Sequence, residues 1–139
     1  MKNLVVYLIF PGTCEAALNF YKDCLGGEIL SLQRFSDTPG DGSGADYQDK
    51  VMHAQFKSEG IFLMASDTRP GDPVVSGNMV HLSLDLSDAQ EPASVFQKLA
   101  AGGTVTMPLQ ETFWGAIFGT LTDQFGIHWM FNHDIPRPN

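Results

Sequence analysis

The sequence predicts an α+β fold built from two tandem βαβββ modules, and three observations predict it. The chain repeats itself: at an offset of 76 residues, Glu15, Ala17, Phe20, Lys22, Gly26 and Gly27 fall on Glu91, Ala93, Phe96, Lys98, Gly102 and Gly103, and Ile29 falls on Val105. A whole helix, its stop signal and the following strand recur together, which marks a duplicated supersecondary unit. Each half then reads in one order: an apolar strand, an amphipathic helix ended by a glycine pair, and three more strands. Finally, 139 residues with 43% hydrophobic side chains suit a single core-forming domain over residues 1–139.

The first module, approximately residues 3–67, opens with the β-branched apolar run Asn3 to Phe10, which Pro11-Gly12 ends. Thr13 is placed to cap a helix whose Ala17, Phe20, Tyr21 and Cys24 form one apolar stripe, and Gly26-Gly27 stop it. Strands are expected at Glu28 to Phe35, Val51 to Ser58 and Ile61 to Ser66, the last two joined by a turn at Glu59-Gly60. Residues 68–78 read as the linker, and the second module, approximately 79–133, follows suit. It has a strand from Met79 to Leu86, a helix with Pro92 in its first turn and an Ala93, Phe96, Ala100 face, and then Gly102-Gly103. Its remaining strands fall at Thr104 to Pro108, Ala116 to Thr122 and Ile127 to His133. Ser36 to Asp49, rich in glycine and acidic residues but without EF-hand spacing, reads as a solvated loop over the mouth of a pocket.

Composition narrows the partners. A net charge of -8 repels phosphate backbones, and no basic stripe counters it, so nucleic acid is not an expected partner. The apolar run Leu4 to Phe10 is far shorter than the roughly 18 residues of a membrane span, and no cleavable signal pattern precedes it. No membrane association and a cytoplasmic location are therefore expected. Cys14 and Cys24 lie ten residues apart on one helix, about 15 Å, too far for a disulfide. Cys14 sits near a helix N-terminus, where thiolates are favoured, yet a small buried residue in the first turn is the simpler reading.

Strand alternation separates two faces. Leu82, Leu84 and Leu86 point one way and His81, Ser83 and Asp85 the other; Met52, Ala54 and Phe56 likewise oppose His53, Gln55 and Lys57. The polar faces either line a cavity or meet solvent.

Several segments carry a resemblance. Tyr21-Lys22-Asp23-Cys24-Leu25-Gly26-Gly27, the strand from His81, and Asp123-Gln124-Phe125-Gly126-Ile127-His128-Trp129-Met130 resemble segments of the vicinal oxygen chelate superfamily, which includes glyoxalase I, extradiol dioxygenases and bleomycin resistance proteins. His53-Ala54, Met64-Ala65-Ser66-Asp67 and Gln110-Glu111-Thr112-Phe113-Trp114-Gly115 are similar to its PhnB-like group. The resemblance implies a cupped mixed sheet whose concave face is a small-molecule pocket, and a homodimer. It makes Tyr7, His53, His81, Trp114, His128 and Met130 the candidate ligand-binding residues.

Enzymes of that superfamily hold a divalent metal with His, Glu or Gln on equivalent strands. His81 matches one such ligand, but Asn3 to Phe10 offers no donor of that kind, with Val5 and Tyr7 on the strand instead. Met130 stands where the pattern after Asp-x-x-Gly carries a metal-binding Glu, and a thioether replaces a carboxylate poorly on such ions. No cofactor is therefore expected; a rebuilt divalent-metal site would have to use His53, His81 and His128. A methyltransferase reading meets no strand-GxGxG-helix segment for S-adenosylmethionine. Two readings stay open: metal-independent binding or sequestration of a small molecule, and a metal-dependent or His-based enzyme (lyase, isomerase or dioxygenase-like) acting on a small oxygen-bearing substrate.

Overall fold

The computed structural model describes residues 1–37, 47–87 and 91–135, so most of the loop expected over the pocket mouth lies outside the described residues. The chain divides into two compact units, Met1–Val75 and Ser76–Asn139. Each holds a four-stranded mixed sheet and one α-helix.

In the first unit, strand β1 (Val6–Phe10) leads to helix α1 (Cys14–Leu25), then β2 (Glu28–Arg34), a short 3-10 turn (Phe35–Asp37), β3 (Val51–Ser58) and β4 (Ile61–Asp67). The sheet order is β1-β4-β3-β2, with β1 parallel to β4 and the other pairs antiparallel. α1 packs on β2, β3 and β4 and buries Cys14, Ala17, Leu18, Tyr21 and Cys24. The expected stripe named Phe20 and omitted Leu18; Phe20 lies at the edge of the buried arc and stays half-buried. The opening strand starts three residues later than expected, at Val6.

The cap of α1 also differs from expectation. Thr13 makes no side-chain cap. The carboxylate of Asp67, at the end of β4, instead accepts from the Cys14 backbone N–H at 2.8 Å and from the Val51 N–H at 2.8 Å. Asp67 is buried, and those charge-assisted bonds offset the cost of its burial. The same carboxylate is one reason why Cys14 is no thiolate. Burial first, then the charges of Asp67 and Glu15, push its thiol up from 9.0 to about 12. Both cysteines are free and buried.

The second unit runs β5 (Leu82–Asp85), α2 (Pro92–Ala100), β6 (Thr104–Glu111), β7 (Ala116–Thr122) and β8 (His128–Asp134). Its order, β5-β8-β7-β6 with β5 parallel to β8, repeats that of the first unit. β5 is shorter than the expected Met79–Leu86 because its parallel pairing begins at Leu82↔Trp129; His81 is committed to a turn, bonding the Asn78 carbonyl at 2.9 Å. β6 runs past Pro108 to Glu111, its register against β7 broken between Val105 and Met107 and again between Met107 and Gln110, so the proline sits in an irregular stretch of an edge strand. α2 buries Phe96 and Leu99, not the expected Ala93, which is exposed. Phe96 meets Phe131 edge-on at 5.0 Å, and that contact sets which face turns inward.

One repeated pair shows why the glycines recur. A Cβ on Gly27 would collide with the Lys57 carbonyl oxygen, and one on Gly103 with the Thr122 carbonyl oxygen. In both units the chain leaving the helix passes against a strand backbone that only glycine can approach so closely.

Candidate functional site

Helix packing decides which sheet face is free. In the first unit Ala54, Phe56, Leu63 and Ala65 are buried, and α1 packs on the strands that carry them. By alternation Tyr7, Ile9, His53, Gln55, Met64 and Ser66 share the opposite, helix-free face; Tyr7 pairs with Met64, Ile9 with Ser66, and Gln55 with Met64. Tyr7 on β1 and His53 on β3 reach toward each other across β4, and Tyr7 Oη meets His53 Nδ1 at 3.1 Å with ring centroids 5.7 Å apart. Tyr7 is 45% exposed, so the pair is open to an incoming molecule. Among the described residues, His53 Nε2 has no hydrogen-bond partner.

In the second unit Leu84, Trp129, Phe131 and Leu121 are buried, which leaves Ser83, Asp85, Phe118, Thr120, Thr122, His128, Met130 and Asn132 on the helix-free face. Met130 stands mid-sheet in the row Ser83–Met130–Thr120. His128 stacks on His81 with centroids 5.0 Å apart. Its Nε2 lies 2.7 Å from the Gly77 carbonyl and its Nδ1 2.8 Å from Thr122 Oγ1. A carbonyl only accepts, so Nε2 carries a proton, and in that tautomer Nδ1 accepts a hydrogen bond from the Thr122 hydroxyl. The same logic puts the His81 proton on Nε2, facing Asn78.

Trp114 lies just before β7, with Phe113 at 5.0 Å and Phe118 at 6.0 Å, both edge-on. Phe118 pairs with Asn132, whose amide reaches Asp85 at 3.4 Å and Asp134 at 3.2 Å. Trp129, by contrast, is core: its indole N–H donates to Asp123 at 2.9 Å. Asp123 also takes the Phe125 and Ile127 N–H groups, so the Asp-x-x-Gly segment is held by its own turn.

The six sequence-predicted site residues thus form two pairs in separate units, Tyr7 with His53 and His81 with His128, with Trp114 and Met130 on or beside the second unit's free face. The donor set does not fit the metal that the superfamily resemblance implies. His128 has both ring nitrogens engaged and His81 one, Met130 offers only a thioether, and no three His, Cys, Asp or Glu side chains converge among the described residues. Sequence reasoning missed Thr122, Gly77 and Asn78 as partners. Thr122 was within reach, because it pairs directly with His128 across the β7–β8 turn.

The sequence profile of the Glyoxalase/Bleomycin resistance protein/Dioxygenase superfamily matches residues 3–131. The chain belongs to that superfamily. It is 37% identical to Protein YjdN of Escherichia coli over 136 residues, covering 91% of each chain. The crystal structure of PA1353 from Pseudomonas aeruginosa is similar at a TM-score of 0.86 and 40% identity, over 98% of this chain and 100% of that one. The PhnB protein of Bacillus cereus is similar at a TM-score of 0.80 and 29% identity, over 95% and 99%.

Proposed function

We propose that this PhnB-like protein binds or sequesters a small, partly apolar molecule on the helix-free faces of its sheets, in the cytoplasm, as a homodimer, and needs no resident metal to do so. One observation carries the reading: at the position where the superfamily pattern holds a carboxylate stands Met130, and the nearby His128 already has both ring nitrogens satisfied by Thr122 and Gly77. Tyr7, His53, Met130 and Trp114 supply the usual equipment of a small-molecule site, apolar surface with a few polar tips. The exposed Tyr7 and Ile9 on edge strand β1 support pairing of two copies.

A second reading is favoured by the Tyr7–His53 bond. An imidazole oriented at Nδ1 by a phenol, with Nε2 unpartnered among the described residues, has the form of an acid–base group for a small oxygen-bearing substrate. Native mass spectrometry before and after zinc, nickel, manganese or iron(II) tests the first reading, with a metal-free dimer expected. Stoichiometric metal that survives dialysis would overturn it. A co-purified adduct that disappears in a folded His53→Ala variant would place that imidazole in the ligand site.

A further inference from the structure

We infer that His81 and His128, the residues a sequence reader would assign to metal or substrate, are a clamp that fixes the chain entering the second unit. The segment from Val75 to Val80 is exposed throughout, with Val75 at 88%, Met79 at 95% and Val80 at 75%. A segment that buries so little apolar surface is held chiefly by its polar ties. Among the described residues, two side chains tie its backbone carbonyls: His128 Nε2–H donates to Gly77, 51 residues away in sequence, and His81 Nε2–H donates to Asn78.

The imidazoles are suited to this work in ways a simple amide is not. His128 is oriented from behind, where the Thr122 hydroxyl donates to Nδ1 at 2.8 Å, so the proton is kept on the nitrogen that faces Gly77. His81 lies flat on that ring at an interplanar angle of 26°, so the turn at Asn78 and the tie at Gly77 brace each other. A metal bound at either Nε2 would have to displace a proton already given to a backbone carbonyl. The clamp therefore accounts for His81 in a chain whose other residues do not fit the superfamily's metal.

Limited proteolysis with thermolysin reads the tie directly, since cleavage before Val75, Met79 or Val80 follows local opening of the segment. His128→Ala is expected to speed that cleavage about three- to tenfold, the range set by loss of one net hydrogen bond. His128→Gln keeps an N–H donor near the Nε2 position while removing acid–base capacity, and is expected to stay within about twofold of the native rate. If His128→Ala perturbs the whole unit, as judged by its melting curve, Thr122→Val replaces it as the decisive variant, because it removes only the hydroxyl that orients the ring. Its cleavage should rise by a smaller factor. Native-like cleavage in the decisive variant would overturn the clamp, and so would equal acceleration by Ala and Gln.

Discussion

On the helix-free face of the first unit, His53 engages Tyr7 through one ring nitrogen, at 3.1 Å; on the corresponding face of the second, His128 engages both of its nitrogens, at 2.8 and 2.7 Å. The two sheets have the same strand order, so topology is not the source of the difference. What differs is what lies next to each imidazole. His53 has a phenol reaching across the intervening strand β4, while His128 has a threonine directly across its hairpin and a carbonyl delivered by the segment before β5. A histidine's chemical freedom is thus set by the acceptors within its reach, and a resemblance that places a histidine on a strand leaves that unsaid.

The repeated glycines offer the largest effect with which to test how alike the two units are. Gly27→Ala forces a side chain into a positive φ of +103 and against the Lys57 carbonyl, whereas Gly103→Ala meets the Thr122 carbonyl without a positive φ. Both are expected to destabilise, Gly27→Ala by about 3 kcal/mol or more and Gly103→Ala by less, measured by thermal unfolding. Equal losses would show that backbone collision, common to both units, outweighs dihedral strain, which only the first carries.

The next effect belongs to the first unit alone. Cys14 has its thiol raised from 9.0 to about 12, so between those values the unfolded chain ionises while the folded one does not. The folded state binds more protons there, and its stability falls as pH rises, by at most about 1.4 kcal/mol per pH unit. Below pH 9 this contribution is fully present. Cys14→Ala should flatten that alkaline slope in a urea titration across pH 8 to 11, and iodoacetamide should label native Cys14 slowly throughout neutral pH. Rapid labelling of the folded protein would contradict the burial.

The smallest effect is the Glu15–Arg34 ion pair, two bonds at 2.9 and 2.8 Å between partly exposed side chains. The guanidinium, chiefly through its hydrogen bonds, holds the Glu15 carboxyl below its usual range. Its stabilisation is present above the ordinary carboxylate pKa and lost as pH falls through the lowered one. Glu15→Gln is expected to cost less than about 1 kcal/mol and to lose most of that difference in high salt, as screened surface pairs do.

Much of the fold was legible because its signals are local. The 76-residue offset, the glycine pairs and the two-residue alternation lie in contiguous stretches, and they yielded the α+β class, both described helices and each described strand to within a few residues. The misreadings involve partners distant in sequence. Thr13 looks like a cap until Asp67 arrives from β4, and Met79 to His81 look like strand until the turn at Asn78 claims His81. The candidate site could be named from the sequence as residue types but not as an arrangement, because spacing cannot show that His128 is spoken for by Gly77 and Thr122.

The carboxylate of Asp67 has a bearing on the order in which the first unit assembles. It joins the start of α1, the start of β3 and the end of β4, bridging sequence separations of 53 and 16 residues. Among the described residues β1 likewise pairs only with β4, the last strand of its unit to be synthesised. A nascent chain that has exposed only its first fifty residues therefore has neither the partner for its opening strand nor the acceptor for its helix. Such long-range closure slows folding relative to contacts made between neighbours. The first unit therefore cannot complete either its sheet or the start of its helix until Ile61–Asp67 has emerged.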